Sequence, residues 1–124
     1  MGLFNTTHFR VLEQGLQFTS ANTRVIANNI ANIDTPGFKS RYLTFSGVLR
    51  DRMDRNADHR FQRELHVRTN DVFVDEITSG QPDGNNVDFE FQASLLRQNA
   101  LRQESLMVQL EAEFRMLRAA MRKQ

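Results

Sequence analysis

The chain has 124 residues, 25% of them charged and 40% hydrophobic, so it has the length of one domain and the composition of neither a disordered tail nor a membrane protein. Sixteen basic residues against fifteen acidic ones leave a net charge of +1, which excludes a general affinity for nucleic acid or anionic lipid. Cysteine is absent, so disulfides, thiol nucleophiles and thiolate-ligated metals are excluded.

The first predicted element is a helix. Phe9, Leu12, Leu16, Thr19, Thr23, Ile26, Ile30 and Ile33 are spaced alternately 3 and 4, which is a heptad seam. Met1–Thr7 carry no basic stretch followed by an apolar one, so no cleavable secretory signal is expected. The helix should stop by residue 34, because Pro36 disfavours the α conformation at Thr35 and Gly37 follows.

Residues 35–87 form an irregular middle segment. Charge is concentrated at 46–64, which carries no clear periodicity. Val67, Val72, Phe73 and Val74 alternate weakly around Thr69-Asn70-Asp71, the pattern of a short β-hairpin. Pro82-Asp-Gly-Asn-Asn then reads as a turn.

The last element, 88–122, is a longer helix. Phe89, Ala93, Leu96, Ala100, Gln103, Met107, Leu110, Phe114, Leu117 and Met121 are spaced alternately 4 and 3. Asn86 or Asp88 can cap its start. Two seams of equal pitch at opposite ends of one chain predict a mainly α fold, the terminal helices paired as an antiparallel coiled coil. Aligning residues whose numbers add to 126 sets Phe9 against Leu117, Leu12 against Phe114, Leu16 against Leu110, Ile26 against Ala100 and Ile30 against Leu96. Thr23 then meets Gln103, a hydroxyl facing the one strongly polar seam residue. Met107 completes the expected pairing set.

Such a pair is marginal alone. Burying a large side chain yields ~1.5–3 kcal/mol, against ~1–2 kcal/mol of backbone entropy per ordered residue. Phe4, Val11, Phe18, Val25, Leu95, Leu101, Leu106, Val108 and Met116 lie off the seams. Apolar surface on several sides of a thin rod predicts either cover from the middle segment or packing against other subunits.

No catalytic or metal-binding pattern stands out. His8, His59 and His66 have no metal-ligand spacing, and 51–58 lacks the glycine and terminal glutamate of a calcium loop. No phosphate-binding glycine loop or nucleophile elbow occurs. No enzyme activity, cofactor, nucleic acid or small-molecule substrate is expected.

The distinctive stretch is Ala27-Asn28-Asn29-Ile30-Ala31-Asn32-Ile33-Asp34-Thr35-Pro36-Gly37-Phe38-Lys39. Three Asn in five residues is poor helix chemistry, because Asn competes for backbone hydrogen bonds. They form either an elaborate helix stop or a bridge to a neighbouring chain. The run resembles the signature of the flagellar rod and hook axial proteins, carried here by Asn28, Asn29, Asn32, Thr35, Pro36 and Gly37. Asp83-Gly84-Asn85-Asn86-Val87-Asp88-Phe89-Glu90 before a terminal heptad helix resembles the proximal-rod branch of that family.

The resemblance implies a non-enzymatic subunit of the bacterial flagellar basal body. Such subunits polymerise helically into the periplasm-crossing rod, line the export channel and transmit torque. Implied partners are other copies of the chain, the rod protein FlgC and the adaptor FliE, with the export gate and MS ring nearby. Export by the flagellar type III apparatus is implied, and Phe45 and Leu49 match its short F-x-x-x-apolar gate motif, as does Phe38-Lys-Ser-Arg-Tyr42. The rival readings are another rod component of the FlgC type and a non-flagellar α-helical adaptor.

Overall fold

The computed structural model describes residues 6–44, 72–78 and 80–122. Phe4, Phe45, Leu49, His59, His66, the charged stretch 46–64 and the expected turn at 69–71 lie outside the described residues. The described elements are helix α1 (Thr6–Ala31), strand β1 (Arg41–Leu43), strand β2 (Val72–Val74) and helix α2 (Phe89–Arg122). At 26 and 34 residues the helices are about 39 and 51 Å long. They run antiparallel and in contact, with the two-stranded sheet beside one end of the pair.

α1 forms where the heptad pattern predicts but ends three residues before the expected stop at 34. At its end the Asn32 side chain donates to the Asn28 carbonyl oxygen (2.8 Å) and side-chain oxygen (2.7 Å), in the local competition for backbone acceptors that makes Asn a poor helix residue. Turns follow, with Thr35 N–H on Asn32 O (3.1 Å) and Phe38 N–H on Thr35 O (3.2 Å). Gly37 then takes φ +74°, a backbone region that other residues rarely occupy.

At the other end of the molecule's connection, Asp88 caps α2. Its carboxylate accepts the N–H groups of Glu90 (3.0 Å) and Phe91 (3.4 Å), satisfying two of the donors every helix start leaves open.

β2 lies where the alternation placed a strand, but its described partner is not a local hairpin arm. It pairs antiparallel with β1, Arg41 opposite Val74 and Leu43 opposite Val72.

The helix register differs from the apolar one. Asn22 meets Asn99, Asn29 meets Gln92, Gly15 packs on Leu106 and His8 bridges to Glu113, and the residue numbers of each of these pairs add to 121, not 126. Thr23 therefore meets Asn99 rather than Gln103. The shift of five residues displaces α2 by about 7.5 Å along α1. Buried amides must find partners, and that requirement outweighs the apolar alignment.

α2 is also turned. Its buried and half-buried positions are Gln92–Leu96 and then Asn99, Gln103, Leu106, Leu110, Glu113, Leu117 and Ala120. Leu96, Gln103, Leu110 and Leu117 hold the expected inward line. Phe89, Met107, Phe114 and Met121, expected within the seam, lie half exposed on its flank, with Phe114 touching the Phe9 ring at 5.6 Å. On α1, Leu12 and Ile26 are buried, whereas Phe9, Leu16 and Ile30 are half-buried.

Candidate assembly surface and the asparagine junction behind it

The surface that the chain presents is set by what it closes off internally. The closed part is a junction where α1 ends and α2 begins. Asn29 is fully buried. Its side-chain amide donates to Arg41 O (2.7 Å) and to Gln92 Oε1 (3.1 Å), and its oxygen accepts Arg41 N–H (3.0 Å). The two contacts to Arg41 copy the pairing of a neighbouring strand, so Asn29 seals the outer edge of β1. Gln92, also fully buried, passes the chain of bonds to the Tyr42 hydroxyl (3.4 Å).

Asn85 and Asn86 close the other side. The Asn85 amide donates to the carbonyls of Asn32, Ile33 and Thr35 (2.9, 2.9 and 2.8 Å), in the turns that follow α1. Its oxygen accepts Val87 N–H (2.8 Å). Asn86 accepts Ser40 N–H (2.7 Å) and donates to Asp75 O (2.6 Å), tying β1 to the turn after β2. Gly37 N–H reaches Asp83 O (3.0 Å), and Lys39 Nζ reaches Gly84 O. Among the described residues, no buried side-chain nitrogen or oxygen lacks a partner.

Midway along the helices stands a second amide set. Asn99 accepts from the Asn22 amide (3.1 Å) and donates to Thr19 O and Thr23 Oγ1 (both 2.7 Å). Thr23 in turn donates to Thr19 O (2.9 Å), so the two seam threonines are satisfied.

Of the signature residues, Asn29 bonds entirely within the chain. Asn28 and Asn32 bond each other, and Thr35 donates to Asn32 Oδ1 (3.1 Å). Pro36 and Gly37 shape the exposed turn. The sequence reading did not single out Asn22, Gln92 or Asn99; it placed Asn85 and Asn86 in a turn and in the run that resembles the proximal-rod branch, with Asn86 as a candidate cap, and did not foresee their bonds to the end of α1 and to Ser40. A signal was present: Asn22 and Asn29 are seven apart on one helix, and Gln92 and Asn99 are seven apart on the other.

The open part is the outer surface of α2. Met107, Phe114 and Met121 form one line beside the seam, 47–67% exposed. Leu101, Val108 and Met116 form another line facing away from α1, 55–65% exposed. Val11 is exposed on α1. Of the other expected off-seam residues, Phe18 is buried, and Val25, Leu95 and Leu106 are half-buried. Phe18, Ile26, Leu43, Leu95 and Leu106, with Arg41 and Arg102, line an open groove of about 650 Å³ along the helix pair. Apolar area this extensive on a single chain marks a packing surface rather than a finished exterior.

Comparison with known proteins agrees with that architecture. Residues 9–39 match the family described as flagella basal body rod protein. Flagellar basal body rod protein FlgB of Bacillus subtilis is 31% identical over 98% of this chain and 97% of its own length. FlgB of Proteus mirabilis is 28% identical over 83% of each chain, and FlgB of Borreliella burgdorferi is 30% identical over 80% of this chain and 83% of its own. Similarity at this level along nearly the whole of both chains shows that this chain belongs to the FlgB family of flagellar basal body rod proteins.

Proposed function

We propose that this rod subunit works by finishing one end of its helix pair internally and leaving the other for its neighbours. As a member of a structural family it is a building element of the flagellar basal body rod and not an enzyme. The neighbours are further copies of the same chain and rod components of the FlgC and FliE types, stacked on a helical lattice. In that lattice the terminal helices form the inner wall of the rod, and torque passes through their contacts.

The observation that carries this reading is the pair of apolar lines on α2, with Met107, Met116 and Met121 all at least half exposed. Covering them requires partners on two sides of the helix, as a lattice supplies. Methionine suits the task, because its flexible thioether side chain adapts to differing neighbours around a rod. Phe45 and Leu49 remain the proposed contact for the export gate, next to MS ring and export apparatus, before assembly.

The test is Met107→Asp combined with Met121→Asp in the full-length chain. Helix content should be unchanged, because both side chains lie outside the seam, while rod formation and motility should be lost. Normal rods built from such a subunit would contradict the assignment of this surface.

A further inference from the structure

We propose that the amide pairs Asn22–Asn99 and Asn29–Gln92, of which Asn29, Gln92 and Asn99 are buried, select the register and the rotational phase of the helix pair, and so hold the Met107–Phe114–Met121 line outward. The last step rests on the assembly reading above; the selection of register does not.

The two amide pairs share one register with the Gly15–Leu106 packing and the His8–Glu113 contact (3.1 Å), from one end of α1 to the other. Apolar matching does not favour that register. Where residue numbers add to 126, Leu12 aligns with Phe114 and Leu16 with Leu110; where they add to 121, Leu12 aligns with Gln109 and Leu16 with Ser105. The amides reverse the preference. In the apolar register Asn29 aligns with Arg97 and Asn99 with Ala27, so each loses the partner it now has. An interior amide stripped of its partner costs more than an imperfect apolar contact. Polar residues at core positions of paired helices fix alignment in the same way elsewhere.

Phase follows from the same residues. Gln92 and Asn99 continue through Leu106, Glu113 and Ala120 at sevenfold spacing. The line Ala93, Ala100, Met107, Phe114 and Met121 is one residue further along, about 100° around the helix. Drawing the amide line inward turns its apolar neighbour to the flank. Had the apolar line won, the methionines would be spent inside the subunit.

The absence of native cysteine permits a direct test. One full-length variant carries His8→Cys with Glu113→Cys, reporting the observed register; a second carries Leu16→Cys with Leu110→Cys, reporting the apolar one. Under mild oxidation, the first should form an intramolecular disulfide and the second should not. Adding Asn22→Leu, Gln92→Leu and Asn99→Leu should lower the first yield relative to the second by at least about fivefold. An unchanged ratio overturns the proposal. If the triple variant loses its helical circular dichroism, Asn99→Ala alone should shift the ratio in the same direction by about twofold or more, and no shift there overturns it equally. Intramolecular products run at monomer mass, so register is read separately from assembly. A chain that keeps its register but builds no rods counts against the assembly reading alone.

Discussion

The two ends of the helix pair are built on opposite principles. At the end where α1 meets α2, Asn29, Ser40, Asn85, Asn86, Val87 and Gln92 are all buried, and each polar group is answered within the chain. At the far end, none of residues 100–122 is buried, and large apolar side chains stand half exposed. Directional hydrogen bonds hold one end to a single geometry. Non-directional apolar contacts are left for the other, where several neighbours must be accommodated. The internal order rests on a small core: the buried hydrophobic residues described are Leu12, Phe18, Ala21, Ile26 and Val87.

The largest effects should come from breaking the closed end. Asn29→Ala leaves Arg41 N–H, Arg41 O and Gln92 Oε1 without their partner, a loss of about 3 kcal/mol. Thermal unfolding of the full-length chain followed by circular dichroism should show it, and assembly should fail as well. Gly80→Ala should act at the same place by a different route. An added Cβ would fall 1.9 Å from Asn85 O, so the loop that carries Asn85 must move.

Next comes the spacing of the helices. Gly15→Val drives methyl groups into Leu106, whose nearest carbon is already 3.0 Å from an ideal Cβ at residue 15. The expected cost is about 1–3 kcal/mol, read as a lower unfolding midpoint.

At the open end the expectation inverts. Val108→Asp should change the stability of the free chain by no more than about 0.5 kcal/mol and yet abolish rod formation. A loss of stability as large as that of Asn29→Ala would erase the distinction between the ends.

The smallest effect concerns pH. The Thr78 side-chain hydrogen bond, aided by the Thr78 and Ile77 backbone N–H groups, lowers the Asp75 pKa below its ordinary 3.8. A depressed folded value means that the ionised group favours the folded turn above pH 3.8, and that this contribution is lost as pH falls through the lower folded value. Amide exchange at Ile77 and Thr78 should therefore gain protection from the carboxylate near neutrality and lose it only under strong acid. Asp75→Asn should remove that dependence.

Both helices and their antiparallel pairing were legible in the sequence, because heptad spacing is a local signal that needs no knowledge of the partner. The 126 register was not a sound inference from the same signal. Apolar residues fill two adjacent heptad lines on α2, so the pattern alone cannot say which line faces inward. Asn29, Gln92 and Asn99 decide that, and they do so through contacts spanning 63–80 residues of sequence. The short extent of α1 has a similar cause, since Asn85 waits 50 or more residues away for the carbonyls that the unwound turn presents. The pairing of β2 with β1 was hidden because a three-residue strand carries too little periodicity to name its partner.

The most direct test of the account is a density map of the intact basal body at side-chain resolution. The account predicts that Asn29 and Gln92 face each other within one subunit, while a neighbouring subunit covers Met107, Phe114 and Met121. Amides reaching across to a second chain, with the methionine line bare or folded into its own subunit, would contradict it.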